Sequence, residues 1–322
     1  MKTKNSFECE CARARGVLFG LLLALPLLLA FEGNLSAAAA APKQKSFSSP
    51  KAAAEALISA AARFDVPALT EILGPDGADL VVSKDPVQDR NTAAAFARKA
   101  LEKHSVVTDP GNAGRATLVV GDEGWPSPIP IVRKGGRWLF DTKAGRQEIL
   151  YRRIGRNELD AIEVCRDFVR AQHAYALQKH DGSRVNQYAQ KIISTPGKQD
   201  GLAWRGPDGA PAGPLGDTIA EAIAAGYSKK SEPLHGYTFK VLKGQGPAAP
   251  LGEMDFVIEG AMIGGFALVA APADYRVTGV KTFIVSHTGV VYEKDLGPKT
   301  LEQFQAMERY NPDKTWRPVK EP

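Results

Sequence analysis

The sequence contains few cysteines. Only three occur in 322 residues, and two of them, Cys9 and Cys11, precede an apolar run near the N-terminus. Cys165 is the only cysteine in the rest of the chain, so no intramolecular disulfide can form there, even in an oxidising compartment. Stability has to come from hydrophobic cores, and the roughly 280 residues after the N-terminal region suit two domains of ordinary size.

Strong charge of either sign is also absent. The chain has 41 basic and 36 acidic residues, a net charge of +5. The basic residues are interspersed with acidic ones, and they form no long run and no stripe that alternates with aromatic residues, as a surface that tracks phosphates would require. We therefore expect no nucleic acid among the partners.

The familiar catalytic and cofactor motifs are missing. No Gly-x-Ser-x-Gly is present to expose a nucleophile. The segment 111–115 lacks the Gly-Lys-Ser/Thr ending of a phosphate loop, and Pro247 removes the backbone donor that a phosphate cradle at Gly244 and Gly246 would use. We expect no cofactor and no enzymatic activity, with an enzyme kept as an alternative.

The histidines and the cysteine do not form a reactive set. His173 and His180 lie seven residues apart on one predicted helix, about 11 Å along its axis, which is too far for joint metal binding. We expect no metal site and assign the pair to a solvent-facing stripe. Cys165 falls on the apolar stripe of that helix, where a thiol is normally inert. Ser286 and His287 adjoin in a predicted hairpin turn, where both residue types serve turn chemistry.

The first 41 residues have the layout of a bacterial secretory signal. A basic start is followed by an apolar run over 17–31 and then by the small-residue tract 36–41. The run of roughly 15 residues is shorter than the ~20 that span a bilayer. We predict that 1–41 is a Sec-type signal peptide that is cleaved, that no stable membrane span remains, and that the protein is periplasmic or extracellular.

Residues 42–142 read as an N-terminal α+β domain. Helical spacing and capping residues predict helices over 49–64, 65–74 and 91–104, and alternation predicts strands over 116–121, 129–132 and 138–141. Gly135 and Gly136 are typical of a hairpin turn. Helices followed by a small sheet also resemble the cone-shaped NTF2-like domains, which hold small ligands. Small-ligand capture beside Trp138 is therefore one functional alternative.

Residues 143–322 predict a long helix packed on an antiparallel sheet. The helix covers 143–179, with a break near Gly155 and a restart at 156–158. Its apolar face is predicted at Leu159, Ile162, Cys165, Val169, Gln172 and Ala176. Segment 183–227 is predicted as loop with one helix at 215–225. Strands are predicted at 237–242, 254–259, 266–270, 280–285 and 290–292, and a closing helix at 301–309.

The glycine-rich loop holds the only candidate chemistry of the second half. Asp200, Asp208 and Asp217 are spread along it and interleaved with Trp204 and Arg205. Paired carboxylates could perform acid–base work on a glycan, and a tryptophan could stack on a sugar ring. Asp-Gly pairs are also ordinary turn formers. The candidate binding residues are Asp200, Trp204, Arg205, Asp217 and, in the first domain, Trp138.

A series of short motifs gives the chain a family resemblance. These are Asp200-Gly-Leu-Ala-Trp204, His235-Gly-Tyr-x-Phe239, Gly244-Gln-Gly246, Met262 to Ala270, Thr278-Gly-Val-x-Thr-Phe283 and Asp295-Leu-Gly-Pro298. In this order they resemble DUF2950, a family of bacterial secreted proteins with no established activity. Two positions depart from the pattern, Ala203 in place of tyrosine and Arg276 in place of glycine.

The resemblance implies no catalytic residue. The second half is also similar to the globular part of pseudopilins, in which a long helix packs on an antiparallel sheet, although a fold does not fix a function. We expect a non-catalytic binding or structural protein of the cell envelope, whose partner is an envelope protein or a glycan. The alternatives are an enzyme acting on glycan or peptidoglycan through the 200–217 loop and small-ligand capture by the first domain.

Overall fold

The first helices begin where the capping residues predict them. The computed structural model describes residues 44–83, 85–216, 220 and 236–320. Helix α1 is Pro50–Ala62, where Ser49 accepts the N–H of Ala52. Helix α2 is Val66–Leu73, where Asp65 accepts the N–H of Ala68. The predicted signal peptide 1–41, Asp217 and nearly all of the helix predicted at 215–225 lie outside the described residues.

The third predicted helix starts earlier than expected. After the short helix α3, Ala78–Val81, helix α4 covers Pro86–Glu102 and not 91–104. Asp85 accepts the N–H groups of Val87 and Gln88, and proline at the first helical position has no N–H to leave unsatisfied. These cap signals add a turn at the start that apolar periodicity alone did not reveal.

A five-stranded antiparallel sheet completes the first half. Its strands are β1 (His104–Asp109), β2 (Asn112–Val120), β3 (Trp125–Pro126), β4 (Ile131–Lys134) and β5 (Arg137–Phe140). The order is β1-β2-β4-β5, and β3 pairs with β2. The Gly135-Gly136 turn is confirmed, with φ of 56° and 78°. Strand β1 was not predicted, and its first residue, His104, falls within the helix predicted at 91–104.

One uninterrupted helix follows the sheet. Helix α5 is Thr142–Tyr175, 34 residues long. The predicted break at Gly155 is wrong, because a helical glycine costs only about 1 kcal/mol and packing on either side of it outweighs that penalty. Leu159 was wrongly placed on the buried face and is 66% exposed. The buried face consists of Ala161, Ile162, Val164, Cys165, Phe168, Val169, Ala171, Gln172 and Tyr175.

The predicted loop after α5 contains three short strands. These are β6 (Lys191–Ile193), β7 (Gly201–Arg205) and β8 (Pro211–Ala212). Strands β6 and β7 are parallel, and β7 and β8 are antiparallel. Strands of two to five residues among glycines and prolines give too little alternation to be detected from sequence.

The main sheet of the second half is antiparallel. It contains β9 (Tyr237–Leu242), β14 (Ala267–Pro272), β15 (Lys281–Ser286), β16 (Val291–Asp295) and β17 (Arg317–Pro318). The order is β17-β16-β15-β14-β9. Helix α5 lies mainly against β15 and also contacts β14 and β16, and the closing helix α6, Thr300–Ala306, packs on β14. The fold class is α+β, as predicted.

The strand predicted at 254–259 is not part of that sheet. It divides into β11 (Met254–Asp255), which pairs with β10 (Gly244–Gln245), and β12 (Val257–Ile258), which pairs with β13 (Ala261–Met262). Buried Phe256 separates the two pairs. The main sheet therefore includes the strand predicted at 237–242 but not the one predicted at 254–259.

Two hydrophobic clusters lie along the chain. One extends from Phe47 to Phe140, and the other from Ala161 to Trp316. Residues 42–322 form one compact unit, and the division into domains at residue 142 stays a prediction. In the part of the chain that the structure describes, no helix is long and apolar enough to cross a membrane.

Two glycines of α5 should respond oppositely to substitution by alanine. At Gly155 an added Cβ meets nothing within 4 Å, whereas at Gly145 it would come within 2.6 Å of Ile129 Cγ1 and 3.0 Å of Ile129 Cα. Gly155→Ala should stabilise the protein by about 0.5–1 kcal/mol. Gly145→Ala should destabilise it by about 1–3 kcal/mol through overpacking. Urea unfolding measures both, and stabilisation by both would contradict the close packing at Ile129.

Candidate functional site

An apolar cleft opens among the helices of the first half. Its volume is about 340 Å³. Helices α1 to α4, the segment 125–129 and one turn of α5 form its walls. The apolar lining includes Leu57, Ala61, Phe64, Leu69, Leu73, Val81, Ala93, Phe96, Trp125, Ile129 and Ile149. The polar lining residues are Asp89, Thr92 and Ser127. This composition, an apolar body with a few polar groups, is that of a small-molecule pocket.

Phe64 forms one wall of the cleft from a strained position. Its φ is 47°, in the left-handed region. Its N–H donates to Ala61 O at 3.0 Å, and the N–H of Asp65 donates to Ala60 O at 2.9 Å. These two bonds define a Schellman motif, whose left-handed residue is usually glycine. A phenylalanine there costs about 1–2 kcal/mol of backbone strain, and strain of this kind concentrates at functional sites.

Two arginines stack behind the aromatic walls. The Arg90 guanidinium lies 5.5 Å from the centroid of the Phe64 ring, and that of Arg152 lies 5.3 Å from the Trp125 ring. Arg152 also donates to Pro126 O at 2.7 Å. Each guanidinium holds its ring by a cation–π contact, worth about 0.5–1 kcal/mol at an exposed site.

Trp138 does not line the cleft. It belongs to β5, where its backbone exchanges two hydrogen bonds with Phe47, and its side chain packs half-buried against the first hydrophobic cluster. The tryptophan that lines the cleft is Trp125, which was not predicted from the sequence. Phe64 was missed as well, because it was counted as the end of α1. The detectable signal was the Arg63-Phe64-Asp65 junction, which joins two helices without a glycine.

A second, smaller groove lies beside Trp204. Its volume is about 280 Å³, and its lining includes Ile193, Thr195, Lys198, Trp204 and Arg205. The Trp204 indole is held edge-on by Tyr175, at a centroid distance of 6.4 Å, and lies 5.6 Å from the His180 ring. The backbone of Gly213 approaches so closely that a Cβ there would lie 2.9 Å from the indole. The indole is therefore fixed in place.

The carboxylate of Asp200 has a structural role beside the groove. It accepts hydrogen bonds from Lys191 Nζ (2.7 Å), Thr195 N (2.7 Å) and Thr195 Oγ1 (2.8 Å). Burial alone would raise its pKa, but the bonds from Lys191 and Thr195 outweigh that effect and lower the pKa to about 2. A carboxylate that stays ionised and fully bonded cannot serve as a general acid near neutral pH.

The other loop candidates do not join Asp200. Arg205 lines the groove, whereas exposed Asp208 accepts the N–H of Ala210 in the next turn. Asp217 lies outside the described residues. Trp204 and Arg205 therefore line the same groove. Asp200 has a separate, structural role through its bonds to Lys191 and Thr195.

His180 is not on a solvent-facing stripe. It is buried beyond the end of α5, stacked on Tyr175 at 3.9 Å between ring centroids. Its ring nitrogens lie 3.0 Å from Tyr175 O and 3.1 Å from Gln199 Oε1. The predicted solvent stripe is wrong for this residue, because the chain turns back after Tyr175 and covers it.

The thiol and the serine–histidine neighbours have no activating geometry. Cys165 is fully buried, and burial raises its pKa to about 12, which keeps the thiol protonated. Ser286 Oγ lies 3.0 Å from Thr288 Oγ1, and the backbone N–H of His287 donates to Phe266 O. Among the described residues, no group of three or more His, Cys, Asp or Glu side chains could hold a metal ion.

Comparisons with known proteins give one match. A family model described as "Protein of unknown function (DUF2950)" matches residues 44–319. No curated protein matches the chain, and no solved structure matches it. The cleft and the groove both lie within the matched range.

Replacing Asp200 should change the pH dependence of stability. Its pKa is about 2 in the fold against an ordinary 3.8, so ionised Asp200 stabilises the protein above pH ~4 and this contribution is lost as pH falls towards ~2. Asp200→Asn should lower the urea midpoint at neutral pH, and its deficit relative to the parent should shrink between pH ~4 and ~2. Asp208→Asn is the control. A deficit that does not change with pH would contradict the assignment.

Two substitutions of Phe64 should separate strain from packing. Phe64→Ala and Phe64→Gly remove the same ring, but only glycine relieves the left-handed backbone. The glycine variant should be more stable than the alanine variant by about 1 kcal/mol. The control is Ala62→Gly at the last residue of α1. Here the glycine variant should be less stable than the parent, because alanine is favoured in a helix. Equal stability of the two Phe64 variants would show that the residue is unstrained.

Proposed function

We propose that this chain, which belongs to the DUF2950 family, is a non-catalytic protein of the cell envelope that binds a small apolar ligand in the cleft of its first half. The observation that supports this function is the cleft itself, about 340 Å³ among walls that are mainly apolar. Pockets for small molecules begin at about 300 Å³.

The lining supports binding more than catalysis. Asp89 is the carboxylate among the lining residues, and one of its oxygens accepts the N–H of Ser83 at 2.7 Å. Thr92 and Ser127 offer hydroxyl groups, and no histidine or lysine lines the cleft to activate them. A nucleophile of this kind requires such a base to react. The polar groups can therefore orient a ligand, while the apolar walls provide affinity.

The envelope assignment rests on the N-terminal sequence. The basic start, the apolar run at 17–31 and the small-residue tract at 36–41 are typical of a secretory signal. Intact mass and fractionation of the protein expressed in a bacterium test this part of the proposal. A full-length, cytosolic product would contradict it.

We also propose a structural relation to pseudopilins for the second half. What supports it is the position of α5 across β14, β15 and β16, the helix-on-sheet arrangement of those proteins. The position of 254–259 outside the main sheet speaks against a full correspondence. An experimental structure whose strand order differs from that of a pseudopilin would end the comparison.

A glycan is the second candidate ligand, at the groove beside Trp204. The observation that favours it is the fixed indole, flanked by Lys198 and Arg205, because sugar rings stack on tryptophan faces. Since Asp200 is held ionised by its partners, we propose binding there without hydrolysis. Retention on isolated peptidoglycan that survives Trp204→Ala would remove this candidate.

Filling the cleft should abolish binding of an apolar probe. Ala93 lines the cleft from α4, and Ala93→Phe places a ring in its volume. Titration calorimetry with decanol should show affinity lower by about tenfold or more in this variant. Ala95→Phe, two residues along the same helix and exposed, is the matched control and should bind like the parent. Equal decanol affinity in all three proteins would place the ligand elsewhere.

A further inference from the structure

A cationic depression adjoins the apolar cleft. It has a volume of about 350 Å³ and is lined by Ala61, Ala62, Arg63, Phe64, Arg90 and Ala94. We call it the arginine depression. Ala61 and Phe64 line both spaces, so the Phe64 ring forms a shared wall with an apolar volume on one side and two guanidinium groups on the other.

The two guanidinium groups are available for a ligand. Arg63 donates to Ser59 Oγ at 2.6 Å, and Arg90 covers the Phe64 ring. No carboxylate of the described residues lies within ion-pair distance of either, whereas Arg152, Arg166 and Arg170 of α5 each pair with a carboxylate three or four residues away. Both side chains therefore hold positive charge that the fold does not neutralise.

The nearest carboxylates in the sequence are engaged by backbone groups. Asp65 accepts the N–H of Ala68 at 3.1 Å as the cap of α2. Asp89 accepts the N–H of Ser83 at 2.7 Å. Both carboxylates stabilise local backbone structure, and neither forms an ion pair with Arg63 or Arg90. Among the six residues that line the depression, Arg63 and Arg90 are the charged ones, so its lining carries two positive charges and no carboxylate.

We propose that the ligand is an amphiphilic anion, with its apolar chain in the cleft and its carboxylate or phosphate head in the arginine depression. This inference rests on the proposed function of the cleft. Guanidinium groups match carboxylate and phosphate oxygens with paired N–H donors, and such charge-assisted hydrogen bonds are about twice as strong as neutral ones. A cationic amphiphile would instead be repelled at this end of the site.

Phe64 has a defined role in this arrangement. Its ring separates the chain-binding and head-binding volumes, and Arg90 stacks on it at 5.5 Å. A ligand that occupies both volumes passes the edge of this ring, with its head within reach of Arg90. Because glycine would relieve the backbone but would merge the two spaces, the strained phenylalanine is explained by the division that its side chain maintains.

The test compares three probes that share one ten-carbon chain. Decanoate, decyl phosphate and decanol are titrated into the mature protein by calorimetry. We expect one or both anions to bind about tenfold or more tightly than decanol, and the difference to shrink with added salt. Preference for decanoate would indicate a free fatty acid, and preference for decyl phosphate a phosphate head.

Substitution of the arginines provides the control. The double variant Arg63→Gln, Arg90→Gln should bind the preferred anion about tenfold more weakly, and its affinity for decanol should not change. Arg98 is on the same helix as Arg90 but lines a different depression, so Arg98→Gln should change neither the affinity for the anion nor that for decanol. Circular dichroism verifies that each variant is folded, as expected for changes at exposed residues.

The outcomes separate this inference from the proposed function. Equal affinity for the anions and decanol, or anion binding unaffected by the double substitution, would overturn the anionic head and leave the apolar cleft intact. Absence of binding by all three probes would overturn both. If the double variant binds decanol as weakly as it binds the anions, the arginines only support the walls of the cleft, and the anionic head is overturned.

Discussion

The burial of one face of α5 supports the rest of the structure. Residues 161–175 of this helix pack on β14, β15 and β16, and their apolar side chains form the centre of the second hydrophobic cluster. Burying each large side chain contributes about 1.5–3 kcal/mol. At the other end, Thr142 donates to Leu73 O at 2.6 Å and Gly145 lies against Ile129. The same helix therefore fixes the sheet of one half and one wall of the cleft in the other.

Two alanines, Ala61 of α1 and Ala93 of α4, line the cleft among larger apolar residues. Their small side chains fill little of its volume. Phe64 lines the cleft with a left-handed backbone conformation. Arg276 of the second half shares that conformation, with φ of 62°, at a position where the family resemblance leads us to expect glycine. Glycine is expected there because it alone adopts this conformation without a steric penalty.

The two candidate sites differ in what their polar groups do. Near Trp204, the polar groups of Asp200, Lys191 and Thr195 are bonded to one another, and Thr195 forms part of the groove lining. Near Phe64, the guanidinium groups of Arg63 and Arg90 have no carboxylate partner among the described residues, and they remain able to bind a ligand. The two guanidinium groups can therefore bind an external anion, whereas the polar groups near Trp204 are already bonded within the fold.

The sequence by itself determined the class of fold and the positions of most elements, because caps such as Ser49 and Asp65, the Gly135-Gly136 turn and the spacing along α5 are local signals. It also predicted the inert Cys165. Only the tertiary structure decided that Gly155 does not break α5, that Leu159 is exposed, that His180 is buried and that Asp200 is bonded to Lys191. It also brought Trp125 and Phe64 to one cleft beside Arg63 and Arg90. These features depend on contacts between residues far apart in the chain, for which local propensity carries no information.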